Sequence, residues 1–170
     1  VTKAPDMDLR KDYVSLPRNY GSREYYARED IAVIKDTVFR NLSDLDSRTG
    51  FTEKLKGRKV LIKPNFVGVY HKAGFKDDDY PQSSDPRVID SVVSFVRQYT
   101  DKITIIEGSG APATRLMAKM NGTDRIVKRH GFRFEAVEEL PGDRYLFHDL
   151  GLGKEIAVNR KLLHRLEPDA

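Results

Sequence analysis

The spacing of apolar residues predicts helices that alternate with short buried strands. Between residues 22 and 42, the residues Ile31, Ile34, Val38 and Leu42 recur every three or four positions, which is the period of one buried helix face. Consecutive apolar residues at 60–62 are instead typical of a strand that is covered on both faces. The chain therefore predicts a fold in which strands and helices follow one another.

Local signals set the bounds of these elements. Asp85 followed by Pro86 predicts the start of a helix, with Asp85 as its N-cap. Residues 112–130 have a helical pattern that is broken at 121–122, and Gly131 is the predicted cap of its second part. The buried stripe of the helix after Asp85 is predicted to be Val88, Val92, Phe95, Val96 and Tyr99. The predicted strands are 13–16, 59–63, 102–106, 132–137 and 155–158, with a polar loop at 43–50, a turn-rich stretch at 140–153 and a short helix at 161–166.

The alternation of strands and helices predicts an α/β fold. Such alternation favours a mostly parallel sheet joined by right-handed crossovers. We expect a Rossmann-like, three-layer arrangement with helices on both faces of the sheet. Residues 1–12 are polar and are predicted to be poorly ordered, and residues 13–170 are predicted to form a single domain.

Composition narrows the classes of function. The chain has 170 residues, and no apolar run approaches the roughly 18 residues of a membrane span, so no membrane partner is expected. The lack of cysteine excludes disulfides, thiolate zinc sites and any iron–sulfur cluster within this chain, and it is compatible with a cytoplasmic protein. The net charge of +4 favours anionic ligands only weakly. No basic run carries interleaved aromatic residues, so nucleic acid is not an expected partner.

The first candidate site follows the strand at 59–63. Pro64 cannot donate to a sheet ladder, so the strand should stop before it and leave Lys63 and Asn65 at its carboxyl end. Open α/β sheets bind ligands at that end. Lys63 would supply a positive charge and Asn65 both donor and acceptor groups for an anion or a carbonyl group. The alternative is structural, with Asn65 capping the turn and Lys63 extending into water.

The second candidate site follows the strand at 102–106. Glu107, Gly108, Ser109 and Gly110 form a glycine-rich turn before a helix, where backbone N–H groups can face an anion. Ser109 and Thr114 would add hydroxyl contacts. The spacing of a dinucleotide fingerprint or a P-loop is missing. Glu107 is a candidate metal ligand or general base, or it pairs with Lys63.

Two further groups of residues are weaker candidates. Residues 77–79 are three successive aspartates, but they lack the alternating spacing of a calcium loop, and we interpret them as a solvated loop. The four histidines have no close ligand spacing, and only His71 lies in a loop that could reach the site. No metal-binding residues are therefore predicted.

The order of three segments resembles the domain-of-unknown-function 362 family. These are residues 60–65, the helix opened by Asp85 and Pro86, and residues 105–108, while residues 156–163 resemble the family's strand and short helix. The resemblance covers about residues 13–170. It implies an α/β domain that is often joined to ferredoxin-like iron–sulfur modules and has no assigned activity. The family pattern continues past Ala170, so we expect this chain to be the N-terminal part of a longer protein.

Two functions are expected from these observations. In the first, a small anionic molecule or a metal binds at the strand carboxyl ends, with Lys63 and Glu107 as candidate catalytic residues and an unknown cofactor. Asn65, Gly108, Ser109, Gly110 and Thr114 are its candidate ligand-binding residues. In the alternative, implied by the resemblance, the domain is a redox-associated binding module that docks a ferredoxin-like partner.

Overall fold

The computed structural model describes residues 16–66, 83–108 and 113–139, and the backbone of residues 145–149 and 155–159. The predictions for residues 1–15, Ser109, Gly110 and the helix at 161–166 lie outside these residues. The helices are α1 (Arg23–Tyr26), α2 (Glu29–Thr49), α3 (Phe51–Leu55), α4 (Pro86–Val96), α5 (Thr114–Asn121) and α6 (Thr123–His130). The strands are β1 (Val60–Ile62), β2 (Ile103–Glu107), β3 (Arg133–Ala136), β4 (Tyr145–Asp149) and β5 (Glu155–Asn159), and a 3-10 turn (Val137–Glu139) follows β3.

The sheet confirms the α/β class. Strands β1, β2 and β3 lie side by side in that order and all run parallel. The register places Ile62 beside Ile105, and Ile105 beside Phe134. Strands β4 and β5 form a separate antiparallel pair. The Rossmann-like, three-layer arrangement stays a prediction.

The burial of the strands corrects one expectation. Ile103, Ile105 and Ile106 of β2 are buried, as predicted for a central parallel strand. All three residues of β1 are only partly buried, so the prediction that this strand is covered on both faces was wrong. The reason is its position, because β1 lies at an edge of the described sheet.

Helix α4 begins where the sequence predicted. The Asp85 carboxylate accepts a hydrogen bond from the Arg87 N–H at 2.8 Å, and Pro86 occupies the first turn, where no N–H is needed. Phe95 and Val96 of the predicted stripe are buried, but Val88 is 38% exposed, and the buried Ile89 and Val93 were not part of the prediction. Helix α4 packs against α2 and also contributes to the core. It therefore buries apolar residues from two adjacent rows.

Helix α2 is longer than predicted. The predicted polar loop at 43–50 is helical up to Thr49, and the helix ends at Gly50 in the left-handed conformation (φ 61°). The Asp46 carboxylate then accepts hydrogen bonds from the N–H and the hydroxyl of Thr52, at 2.8 and 2.7 Å. Polar residues at 43–49 therefore form a solvated helix face and a connection to α3.

The core joins the N-terminal segment to the helices that cover the sheet. Its buried side chains are Leu16, Tyr25, Ile31, Phe66, Ile89, Val93, Ile105, Met117, Ala118 and Ile126. Burying apolar side chains of this size typically stabilises a fold by about 1.5–3 kcal/mol each. Residues from α1, α2, α4, α5 and α6 thus share one apolar cluster with the central strand β2.

A polar cluster also holds the N-terminal segment in place. The Tyr20 hydroxyl donates to Asp90 Oδ1 at 2.7 Å, and the Tyr26 hydroxyl donates to Asp90 Oδ2 at 3.0 Å. His130 Nε2 lies 2.8 Å from Asp90 Oδ1. Asp90 is 4% exposed, so this buried carboxylate of α4 is satisfied by groups from three separate segments.

Candidate functional site

The site is built by the topology of the parallel strands. Because β1, β2 and β3 run in the same direction, their carboxyl ends meet at one edge of the sheet. Lys63 follows β1, Glu107 ends β2, and Glu138 follows β3 by two residues. We call this set of strand ends the carboxyl edge.

Lys63 and Glu107 form an ion pair at the carboxyl edge. Lys63 Nζ donates to Glu107 Oε1 at 3.1 Å and to Oε2 at 3.0 Å, and it also lies 3.3 Å from the Pro64 carbonyl oxygen. The Gly108 N–H donates to Glu107 Oε1 at 2.9 Å. The two predicted catalytic residues are therefore brought together, and the alternative of a Lys63–Glu107 pair is the arrangement found.

The two partners differ sharply in exposure. The Glu107 side chain is 2% exposed, whereas the Lys63 side chain is 64% exposed. A buried carboxylate is costly unless it is paired and hydrogen-bonded, and here the lysine and one backbone N–H do this. Lys63 thus lies between the buried carboxylate and solvent, where an incoming ligand would meet the ammonium group first.

Gly108 is needed here for space. A Cβ at this position would lie 3.1 Å from Val137 Cβ, which is closer than side-chain carbons normally pack. The absence of a side chain lets the end of β2 approach the turn after β3. This close approach brings Glu107 and Glu138 to neighbouring strand ends.

Thr114 is already engaged by a carboxylate of this chain. Its N–H donates to Glu138 Oε1 at 2.7 Å and its hydroxyl donates to Oε2 at 2.8 Å. Burial raises the pKa of Glu138, but hydrogen bonds from its own backbone and from Thr114 outweigh this effect and hold that pKa below its usual value. The N-terminus of α5 therefore stabilises a negative charge, as helix N-termini do.

Asn65 joins the end of β1 to the start of α4. Its N–H donates to Ser84 Oγ at 2.9 Å, and its carbonyl oxygen accepts from the Ser84 N–H at 2.7 Å. Asn65 is exposed at the carboxyl edge, two residues after the exposed Lys63. The predicted position of Asn65 is thus compatible with both its expected roles, in a turn and in a site.

Metal-ligating side chains do not cluster in the described part of the chain. Among residues 16–66, 83–108 and 113–139, no group of three or more histidine, cysteine, aspartate or glutamate side chains could hold an ion. Glu107 remains the one predicted metal-ligand candidate within that part of the chain. A separate finding concerns membranes. None of the helices that the structure describes has the length and apolar composition of a membrane span.

Sequence reasoning missed Glu138. Polar residues after the first two strands of the sheet were predicted as site residues, but those after the third were not, although Glu138 lies two residues beyond β3. Applied to β3 as well, the rule that ligands bind at the carboxyl ends of parallel strands would have identified this carboxylate. Its contact with Thr114 spans 24 residues and could not be read from local spacing.

Comparison with known proteins gives one match. No curated protein and no solved structure matches the chain. One protein-family model matches residues 60–164, which is more than half of the chain, and its description is Domain of unknown function (DUF362). The match includes Lys63, Glu107, Thr114 and Glu138. Residues 16–59 lie outside it, yet Leu16 and Tyr25 are part of the same core.

Proposed function

We propose that this chain, which belongs to the DUF362 family, binds an anionic small molecule at the carboxyl edge of its parallel sheet. The observation that carries the proposal is the exposed ammonium group of Lys63, which covers the buried Glu107 carboxylate at the neighbouring strand end. An exposed cation in that position is what a ligand carboxylate or phosphate group would contact first.

A second observation supports the choice of an anion. The N–H and hydroxyl of Thr114, at the start of α5, already bind the Glu138 carboxylate. This part of the carboxyl edge therefore favours negative charge, since two donors and the helix dipole act on the same group. Thr114 can serve a ligand only after Glu138 has moved, because Thr114 is fully buried.

Each residue has a separate role in this proposal. Lys63 supplies the charge, and Asn65 orients the ligand from the next turn. Ser109 and Gly110, which lie outside the described residues, are predicted from the sequence to supply further backbone donors. Glu107 pairs with Lys63 in the ligand-free chain and is the candidate group for moving a proton if the ligand is a substrate.

The pair is a poor device for stability alone. Burying a carboxylate costs free energy, and a lysine that is mostly exposed to water returns only part of it. An apolar pair at the same strand ends would be equally compatible with the register. This cost supports a functional role for Lys63 and Glu107 over a purely structural one. The alternative of a ferredoxin-like partner stays a prediction, which the contacts described above do not favour.

The proposal is tested by ligand binding with a matched pair of variants. Thermal shift and calorimetry are measured against phosphates, nucleotides and carboxylates for the wild type and for Lys63→Ala. The control is Lys56→Ala, because Lys56 forms a similar pair with Glu53 (Nζ to Oε1, 2.7 Å) that is fully exposed and distant from the carboxyl edge.

We expect at least one anion to raise the melting temperature of the wild type and of Lys56→Ala. The same anion should have a much smaller effect on Lys63→Ala, because the charge that it contacts is missing. A response that is identical in all three proteins, or a lack of response to every anion tested, would rule the proposal out.

A further inference from the structure

We infer that the anion bound at the carboxyl edge brings a divalent cation with it, and that this cation replaces Lys63 Nζ on the Glu107 carboxylate. The inference rests on the proposed function, and it names the class of ligand as a Mg²⁺ complex of a phosphate-bearing small molecule. It follows from the balance of charge at the Lys63–Glu107 pair.

The positive charge of Lys63 is already paired with a carboxylate of this chain. Its Nζ lies 3.1 and 3.0 Å from the two oxygens of Glu107, so an approaching anion meets an ion pair with no net charge. The buried carboxylate then repels the anion while the ammonium attracts it. Lys63 can bind an anion strongly only if it turns away from Glu107.

The exposed Lys63 side chain can change its conformation, but the buried Glu107 carboxylate would then lose its charged partner. The lysine side chain is 64% exposed, whereas the Glu107 side chain is 2% exposed. After Lys63 moves, the contacts left to Glu107 in the described structure reduce to the Gly108 N–H at Oε1. Breaking one side of a buried pair would weaken anion binding by roughly 10²- to 10³-fold. A cation delivered with the anion removes this penalty.

The geometry fits a cation that is shared with the ligand. Glu107 Oε1 keeps its hydrogen bond from Gly108. Oε2, whose donor among the described residues is Lys63, is the oxygen that becomes open. Mg²⁺ typically binds one or two carboxylates, several waters and the phosphate oxygens of a substrate. In this proposal Glu107 supplies one carboxylate oxygen, and the phosphate oxygens of the anion and water supply the other ligands.

The experiment measures binding of inorganic pyrophosphate by calorimetry, with and without Mg²⁺. The wild type should bind at least about 10-fold more tightly in the presence of Mg²⁺. Glu107→Gln should bind metal-free pyrophosphate more tightly than the wild type, because the neutral amide no longer holds Lys63. The same variant should lose the effect of Mg²⁺. The control is Glu53→Gln, in which the exposed partner of Lys56 is changed in the same way.

The outcomes separate this inference from the proposed function. Binding that depends on Lys63 but is equal with and without Mg²⁺ overturns the inference and leaves the proposed function standing. Binding in neither condition overturns both. The comparison in the wild type alone decides the point if Glu107→Gln does not fold.

Discussion

Three tyrosines near the N-terminus predict that this protein loses stability steeply above about pH 10. Tyr20, Tyr25 and Tyr26 pack edge-to-face or tilted against one another, with ring centroids 4.9–6.3 Å apart. Burial, followed by the negative charge of Asp90, raises the pKa of each of the three phenols above its usual value near 10. A rise in pH above about 10 should therefore favour the unfolded chain over the folded protein.

The sign and size of the change in unfolding free energy follow from the protons bound by the folded and unfolded states. In the unfolded chain the three phenols ionise near pH 10, whereas in the folded protein they keep their protons to higher pH. Below about pH 10 both states carry the protons, and the full stability is present. Well above it, a tyrosine that keeps its proton in the folded protein removes at most about 1.4 kcal/mol of unfolding free energy per pH unit, and solvent around the partly exposed Tyr20 and Tyr26 reduces their share.

The assay is urea unfolding followed by circular dichroism between about pH 9 and about pH 11. Two variants sharpen it. Tyr20→Phe leaves Asp90 without one donor and should cost about 1.5–3 kcal/mol at neutral pH. Tyr25→Phe should cost far less, because the Tyr25 hydroxyl has no hydrogen-bond partner among the described residues. Both should reduce the alkaline slope, because each removes one phenol whose pKa burial raises.

The reasoning is refuted by either of two results. One is a free energy of unfolding that changes by less than about 1 kcal/mol between pH 10 and pH 11. The other is phenolate absorbance that accounts for all tyrosines while the protein is still folded. If the two variants keep the slope of the wild type, the cluster around Asp90 is not the source of the alkaline sensitivity.

Three other predictions concern stability and are checked by urea unfolding. Lys63→Ala should lower the unfolding free energy by about 1–3 kcal/mol, since it leaves Glu107 buried without its cation, whereas Lys56→Ala should have a much smaller effect because its pair with Glu53 is exposed. Gly122→Ala should cost at least about 1–2 kcal/mol, because φ is +89° there and a Cβ would lie 2.9 Å from Leu16 Cβ. Asp85→Ala should cost about 3 kcal/mol or more, because α4 loses its cap and the buried Arg87 loses its 2.7 Å partner, while Asp85→Asn should retain part of the capping effect. Equal losses within either matched pair would contradict the reasoning.

The local features of the fold were predictable because their causes are local. The N-cap at Asp85 depends on two adjacent residues, and the left-handed cap at Gly131 (φ 73°) depends on one. The parallel order of the strands followed from their alternation with helices. The location of Lys63 and Glu107 at one edge followed from the same alternation.

The missed features depend on contacts between distant residues. Tyr20 and Asp90 are 70 residues apart, and nothing in the spacing of either indicates the other. The buried face of α4 was predicted only in part, because the helix has two packing partners and a single sequence does not say which apolar row faces which. The polar end of α2 lacked apolar periodicity, which is expected of a helix that is solvated on most sides.

The state of the candidate site depends on register, which the sequence alone does not supply. Strand β1 pairs with β2 so that Ile62 lies beside Ile105, and Lys63 is then one position short of Glu107. Glu107 points to the same side of β2 as Ile105, which is in the core, and this explains how a glutamate becomes buried. A shift of one residue in β2 would turn Glu107 to the opposite face and leave Lys63 without its partner. The positions of Lys63 and Glu107 at the carboxyl ends of their strands therefore follow from the topology, whereas their pairing follows from the register. In the proposed function, an incoming ligand has to replace this pairing.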